Sequence, residues 1–374
     1  MALGGGVKGW LAAGLGAITI GGAIFGFVLN AQKVVEIFTG HRAAVKQRDE
    51  AVKQQEEAVR QQRARDDEAA RQQHARDDEV ARLLAVARAQ RADNDFAAAM
   101  KTLDDVTVLA PANEDARVAR EDIAMAWLRQ ARVAASANFT TVSTPLARVL
   151  DEGVPRATGS RQADLIAHRG WAEFLRERDE PEHHDPSAFY ARALAVDGAN
   201  PFAHAMLGHW MLWDHQDRAA ALAHFDAAVA SGRERPWVRY LEIAALKSNS
   251  FTDNAAEIVR VANAVRREGG TIDAAIRRDI HSLYYSVGRD KDDPLLAALP
   301  PEEHVTFYRW LFADDLADPK REPSYVLNLV ALEEHAGHRD VARAELTALR
   351  ARIADGEPQL KRQIDTELKR LGKA

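Results

Sequence analysis

The chain has 374 residues, of which 47% are hydrophobic and 28% are charged, and its formal net charge is −6. It contains no cysteine, which excludes disulfides, thiolate metal sites and cysteine nucleophiles. Proteins that bind nucleic acid usually present a basic face, so this acidic balance predicts no nucleic-acid partner. The hydrophobic fraction is sufficient for one or two sizeable cores.

An uncharged run from Gly9 to Gln32 is the first element of the chain. A helix that crosses a bilayer needs roughly 20 apolar residues, and residues 10–29 supply that length. The competing interpretation is a cleavable signal peptide, whose apolar region is about 7–15 residues long and precedes a small-x-small site. This run is longer, and Leu29-Asn30-Ala31 is a poor cleavage site. The sequence therefore predicts a retained transmembrane anchor over residues 1–32, with the lipid bilayer as a partner of residues 9–32.

Basic residues beside the span predict its orientation, because the side richer in Lys and Arg stays in the cytoplasm. Before the span the chain has only Lys8. After it the chain has Lys33, Arg42, Lys46, Arg48 and Lys53. This bias predicts a single-pass protein of the bacterial inner membrane with a cytoplasmic C-terminal body.

Small residues lie at helical spacing along the predicted span. One stripe consists of Gly22 and Gly26, and another of Ala13, Ala17 and Gly21. Such stripes let helices approach closely in lipid, which predicts self-association of the span. Glycine is also frequent in transmembrane helices that make no such contact, so both interpretations stay open.

Residues 33–79 are charged and rich in Gln and Ala, a composition typical of a long exposed helix. A motif that begins at Asp49 recurs at Glu56, Asp67 and Asp78. Acid-to-base pairs four positions apart are expected at Asp49/Lys53, Glu56/Arg60, Asp67/Arg71 and Asp78/Arg82. About 45 residues at 1.5 Å each give a stalk of roughly 70 Å. Because the apolar seam contains only Ala and Val, a solvated single helix and a weak coiled coil both remain open.

Residues 80–374 contain three segments with a shared spacing of small and large apolar residues. The first has Leu83, Val86, Ala87, Gln90, Ala99, Leu103, Val106 and Pro111, with a turn at Asp93-Asn94-Asp95. The second begins with the end of one repeat, at Tyr190, Ala193, Leu194 and Gly198. The next repeat follows with Pro201, Ala203, Leu207, Gly208, Trp213, Ala221, Phe225 and Ala228. It has a turn at residues 214–217, and its second helix is one residue out of register. The third has Pro323, Val326, Leu329, Ala342, Leu346 and Leu349, with a turn at Ala336-Gly337-His338.

These segments resemble tetratricopeptide repeats (TPRs), in which antiparallel helix pairs stack side by side. The stretches Glu114–Asp185 and Trp237–Asp318 depart from the pattern but still read as helical. The expected fold is all-α, with an N-terminal transmembrane helix, a long helical stalk over residues 33–79 and a TPR-like α-solenoid over residues 80–374. In this family the first helix of each pair lines a groove that binds partner peptides. By register, the resemblance places Arg88, Arg91, His209, Trp213, Glu334 and His335 in that groove.

Motifs for catalysis or cofactor binding are not found in the sequence. None of the thirteen histidines belongs to an HExxH motif, His204 and His209 are five apart, and Gly337 places a turn between His335 and His338. Most of the tryptophans, including Trp171 and Trp210, are expected to pack between helices. We therefore expect no metal, no cofactor and no enzymatic activity.

The sequence favours a membrane-anchored scaffold or adaptor that recruits a protein partner through a TPR-like groove, with self-association as a further possibility. One alternative is a membrane effector whose glycine-rich helices oligomerise into a pore. Another is a periplasmic envelope-assembly factor, which the orientation of the span would distinguish.

Overall fold

The computed structural model describes residues 31–131, 139–180, 184–285, 293–318, 323–353 and 357–372, with side chains from residue 45 onwards. The small residues of the predicted span, Ala13, Ala17, Gly21, Gly22 and Gly26, lie outside these ranges. Across the part of the chain that the structure describes, none of the helices combines the length and apolar character that a membrane crossing requires. The transmembrane anchor therefore stays a prediction.

The described residues form helices and no strand, which confirms the predicted all-α class. The helices are α1 (Ala31–Ala92), α2 (Phe96–Leu109), α3 (Glu114–Ala131), α4 (Phe139–Gly153), α5 (Gly159–Glu177), α6 (Ser187–Val196), α7 (Pro201–Trp210), α8 (Arg218–Ala230), α9 (Arg235–Ser250), α10 (Ala255–Arg267), α11 (Ala274–Leu283), α12 (Pro301–Leu311), α13 (Ala313–Ala317), α14 (Ser324–His335), α15 (Arg339–Arg352) and α16 (Pro358–Leu371). A π-helical turn, Met211–His215, continues α7.

The chain divides into two compact units, Met1–Asp78 and Glu79–Ala374. In the first unit, every side chain from residue 45 to residue 78 is exposed, including Val45, Val52 and Val59 at 44–46%. Arg71 pairs with Glu68 at 2.9 Å, and not with Asp67 as the spacing of four predicts, and Arg82 likewise pairs with Glu79 at 2.7 Å and not with Asp78. Glu68 is the longer acid of the Asp67-Glu68 doublet, so its carboxylate reaches the guanidinium from three positions away. Coiled-coil pairing of this segment stays a prediction.

The second unit consists of helix pairs packed side by side. α3 packs on α4, α5 on α6, α7 on α8, and α9 on α10, while the first helices of successive pairs also contact each other, α3 with α5, α5 with α7 and α7 with α9. This alternation is the packing of a TPR-like helical repeat. We call the surface formed by residues 80–92 of α1 together with α3, α5, α7 and α9 the A-helix face.

The turn within three of the pairs has the same backbone conformation. Asn94, Gln216 and Gly337 each have a positive φ, between 55° and 84°. Asp95 and Asp217 follow two of these residues and accept hydrogen bonds from Ala98 N and Ala220 N, at 3.1 and 3.0 Å, as N-caps of α2 and α8. The shared geometry identifies these turns as equivalent points of a repeat.

Glycine allows the closest approach between the paired helices. A Cβ atom on Gly208 would lie 2.9 Å from the carbonyl oxygen of Ala221 and 3.2 Å from the ring of Phe225. Gly170 of α5 is equivalent, because a Cβ there would lie 2.8 Å from Phe189 and Tyr190 of α6. α5 and α6 are therefore a further repeat pair, whose first helix lies in the stretch that departs from the sequence pattern.

The π turn accounts for the slip of register in the second repeat. Residues 211–215 continue α7 with one extra residue per turn before Gln216 and Asp217 start α8. The residues expected in the second helix are nevertheless buried, because Ala221, Phe225 and Ala228 are all 0% exposed.

Candidate functional site

Trp213 is the exposed aromatic residue of the A-helix face, with 39% of its surface accessible. It lies in the π turn, where the widened helix turns its indole toward α5. The indole meets the ring of Phe174 edge to face at 5.6 Å and stacks on His209 at 6.4 Å. One side of the indole is therefore fixed by packing while the other remains open to solvent.

A pocket of about 170 Å³ lies beside this indole. Its walls come from α7, the π turn and α9, and they consist of His209, Leu212, Trp213, Gln216, Ala245, Ser248 and Asn249. Asn249 donates hydrogen bonds to the carbonyl oxygen of Leu212 and to Gln216 Oε1, at 3.1 and 2.5 Å, which ties α9 to the π turn. The pocket is thus rigidly built but small.

His209 does not present its ring to solvent, since only 1% of its surface is exposed. Its ring is held between Trp171 and Phe174 of α5, at 5.2 and 4.7 Å. The family register places His209 on the inner helix, and the structure shows that α5 covers it. His209 therefore supports Trp213 and forms one wall of the pocket.

Arg178 follows α5 directly and lies beside Trp213. Its guanidinium is 4.3 Å from the centre of the Phe139 ring and 5.9 Å from that of Trp213. Among the residues that the structure describes, no carboxylate lies within ion-pairing distance of this group. Desolvation by burial lowers the pKa of Arg178 below its ordinary value, against a smaller opposing effect of the Asp179 charge. Cation–π attraction holds the side chain in place while its charge stays uncompensated.

Arg129 of α3 is a second arginine that lies against aromatic rings and has no carboxylate partner among the described residues. Its guanidinium lies 4.9 Å from the ring centre of Phe202 and 5.8 Å from that of Trp237. Nη1 donates a hydrogen bond to His168 Nε2 at 2.9 Å. Desolvation also lowers the pKa of Arg129. Within the described ranges no carboxylate forms an ion pair with it, although the charges of Glu234, Asp164 and Asp122 are near enough to oppose this lowering of its pKa.

The partner of Arg129 is a neutral imidazole. His168 is fully buried, and its Nδ1–H donates to the carbonyl oxygen of Asp164 at 2.7 Å, which leaves Nε2 as the acceptor for Arg129. Desolvation, followed by the charge of Arg129, holds the pKa of His168 well below its usual range. The contact therefore orients the guanidinium without neutralising it.

The two arginines predicted on α1 are both exposed. Arg91 approaches Asp122 of α3 at 3.8 Å, a loose surface pair, whereas Arg88 makes no ion pair with any described residue. Arg91 also lies close enough to Arg129 for their charges to repel each other. The structure thus brings Arg91 toward the Arg129 end of the A-helix face.

Glu334 and His335 of α14 lie elsewhere, in a groove of about 820 Å³ between α14, α15 and α16. Its lining includes the apolar residues Leu327, Val330, Leu346 and Leu360. Arg370 of α16 forms a two-pronged ion pair with Glu334, while the His335 side chain is exposed. The structure therefore does not bring the six predicted residues together in one groove, because Glu334 and His335 lie apart from His209 and Trp213.

Several other histidines of the described ranges have structural partners. His204 and His224 meet through their Nδ1 atoms at 3.0 Å, and His184 Nε2 pairs with Glu180 at 2.6 Å. His338 bonds to Glu333 and Glu302, and these bonds raise its pKa above the usual value, the bond to Glu333 most. In the described part of the chain, no three His, Asp or Glu side chains come close enough to hold a metal ion.

Arg129, Arg178 and Phe139 were not among the residues singled out from sequence, and Trp237 was expected only to pack between helices. All four fall in the stretches that depart from the repeat pattern, where no register could assign them to a face: Arg129, Phe139 and Arg178 in Glu114–Asp185, and Trp237 at the start of Trp237–Asp318. Arginine following an aromatic-rich helix, as in Phe174 to Arg178, is a signal that could have drawn attention to one of them.

Comparison with known proteins adds little to this geometry. No family model and no curated protein matches the chain. A crystal structure of a tetratricopeptide repeat protein from Parabacteroides merdae ATCC 43184 is similar to it, with 12% sequence identity and a TM-score of 0.35, over 79% of this chain and 99% of that chain. A likeness at this TM-score transfers neither a site nor a function, so the TPR-like character of this chain rests on its own helix packing.

Proposed function

We propose that the chain is a membrane-anchored scaffold that recruits a protein partner through the A-helix face, with Trp213 as the principal anchor. The observation that carries this proposal is an indole that is 39% exposed yet fixed by Phe174 and Arg178. Tryptophan and arginine dominate the binding energy of protein interfaces. A side chain that is already ordered loses little conformational entropy when a partner binds.

The membrane half of the proposal rests on the apolar run of residues 9–32 and on the basic residues that follow it. The span would hold the repeat unit at the inner face of a bacterial membrane, and the scaffold would act without catalysis of its own. Protease added outside intact spheroplasts should leave the body uncut. Cleavage from outside would contradict the cytoplasmic orientation.

Affinity capture from crosslinked membranes tests recruitment. We expect the full chain to retain a partner that a chain beginning at Ala44 recovers less well from the membrane fraction. Trp213→Ala should lower recovery of that partner on the order of tenfold or more, because truncating a hot-spot residue costs at least about 2 kcal/mol. Val341→Ala removes an exposed apolar side chain from α15, outside the A-helix face, and serves as the matched control.

Circular dichroism on the same variants separates binding from packing. Should Trp213→Ala unfold the body while partner capture per folded molecule stays unchanged, Trp213 is a core residue and the proposal is wrong. Toxicity on overexpression that depends on Gly22 and Gly26 would favour the pore-forming effector over the scaffold.

A further inference from the structure

We infer that the partner segment bound by the A-helix face is acidic, with two carboxylate side chains about 15 Å apart that pair with Arg129 and Arg178. This inference rests on the proposed recruiting function and specifies the chemistry of the partner. Its basis is the pair of guanidinium groups that are fixed in place and yet lack a carboxylate among the described residues.

The first step is that both charges are left available. Most described arginines of the repeat unit pair with an acid, as Arg161 does with Glu121 at 2.8 Å and Arg233 with Asp164 at 2.7 Å. Arg129 instead bonds to a neutral His168, and Arg178 lies over the ring of Phe139. A guanidinium has five N–H donors, so each keeps several for a carboxylate, which it can bind through two parallel hydrogen bonds.

The second step is that both groups can be reached. Arg178 is exposed and Arg129 is partly exposed, and each lies beside an indole with accessible surface, Trp213 and Trp237. A bound segment can therefore place a carboxylate on the guanidinium and an apolar group on the indole at both points. Partial desolvation strengthens such an ion pair relative to one on an open surface.

The third step is the spacing. His168, which accepts the hydrogen bond of Arg129, lies on α5, and Arg178 follows the end of α5 ten positions later, which corresponds to an axial rise of about 15 Å. Between them, Trp171 and Phe174 form a buried aromatic row against α7. An extended chain advances about 3.3 Å per residue, so acidic residues about five positions apart match the two guanidiniums.

The carboxylates around the two arginines argue against a polyanion such as RNA. Asp122, Asp164 and Glu234 act on Arg129, and Asp179 acts on Arg178. They would repel a backbone that has a phosphate at every nucleotide, whereas two well-spaced carboxylates can meet the arginines without approaching each acid. The net charge of −6 acts in the same direction.

Fluorescence anisotropy with the full chain tests the inference. The probe is a labelled peptide with two glutamates five positions apart and leucines between them. The comparison peptides have adjacent glutamates, or lysines in place of both glutamates. We expect the spaced acidic peptide to bind most tightly, with an affinity that weakens as salt is raised. Arg129→Gln and Arg178→Gln should each weaken it on the order of tenfold, as expected for loss of a charged hydrogen-bonded pair.

Arg192→Gln is the matched control, because Arg192 also lies over an aromatic ring, that of Phe189, but on α6. Its affinity for the peptide should equal that of the unmodified chain. Arg129→Lys covers the case in which Arg129→Gln does not fold, and it should retain part of the binding through its charge. Equal binding of all three peptides, or equal loss in the Arg192 variant, would overturn the inference, and so would competition by RNA at lower concentration than the peptide.

The two proposals can fail separately. If partner capture depends on Trp213 but is insensitive to both arginine variants, recruitment stands and the acidic character of the partner is wrong. If the spaced peptide binds through both arginines while capture is independent of Trp213, the anion-binding surface stands and its use in recruitment is wrong.

Discussion

Replacing Gly208 with alanine tests whether close helix contact builds the second unit. The added methyl group would lie 2.9 Å from the carbonyl oxygen of Ala221 and 3.2 Å from the Phe225 ring, and both distances are shorter than an ordinary van der Waals contact. Relief requires a separation of α7 and α8 by about 0.5 Å. The oxygen belongs to the backbone of α8 and cannot rotate away. Alanine would gain about 1 kcal/mol in helix propensity, whereas overpacking costs about 1–3 kcal/mol.

Because the obstacle is backbone, we place the overpacking cost at the upper end and expect Gly208→Ala to lose about 1–2 kcal/mol of unfolding free energy. Urea denaturation followed by circular dichroism measures this loss. Gly198→Ala is the control, since a Cβ there meets only the Leu194 carbonyl oxygen at an ordinary 3.7 Å. If Gly208→Ala were as stable as the unmodified protein, or more stable, the contact between α7 and α8 would not be limiting and the reasoning would be refuted.

Three further predictions concern the stability of the repeat unit. Leu103→Ala should cost about 2–5 kcal/mol in the same urea assay, because Leu103 is fully buried between α2 and its neighbours. Asn200→Ala should cost about 2 kcal/mol, because Asn200 caps α7 at Ala203 N (2.9 Å) and donates to Asp164 Oδ1 (2.6 Å), and Asn200→Ser, which keeps the cap, should cost less. Desolvation, aided by His335, lowers the pKa of buried His304 from 6.5 to about 4. The buried neutral imidazole therefore contributes to the free energy of unfolding above pH 6.5, and this contribution is lost as pH falls through about 4. Thermal melts at a series of pH values should show that acid destabilises His304→Gln less than the unmodified protein, by roughly 3 kcal/mol.

Much of the repeat unit could be predicted from local sequence. The turns at Asn94 and Gly337 lie where the pattern places them, and Ala99, Leu103 and Val106 are buried as the second-helix positions require. These features depend on neighbours within one helix pair, so a spacing rule captures them. In the α5/α6 pair the pattern identified only the second helix, through Tyr190, Ala193 and Leu194. It missed α5, because the connection over residues 178–186 lengthens the pair and moves Tyr190 away from its expected distance to Gly170.

The candidate site was less accessible to prediction. The family register assigned Trp213 to the groove from its position along one helix, and the structure shows its indole to be 39% exposed. It could not locate Arg178, because the ring beneath its guanidinium comes from Phe139, 39 positions earlier in the chain. The burial of His209 has the same origin, since Trp171 and Phe174 cover it from a different pair. Contacts between pairs decide which side chains of the A-helix face reach solvent, and no single-pair pattern contains them.

The π turn at Met211–His215 accommodates one inserted residue within the helix, so that the packing of α7 on α8 is kept. One added residue rotates the residues before the turn by about 100° about the helix axis, compared with a regular α-helix. Asp217 is still the N-cap of α8. The indole of Trp213 consequently points in a direction that an uninterrupted α7 would not offer. We expect deletion of one residue from the π turn to keep the helix pair and to change the direction of the Trp213 indole. A change of one residue in length would thereby give the same repeat a different binding surface.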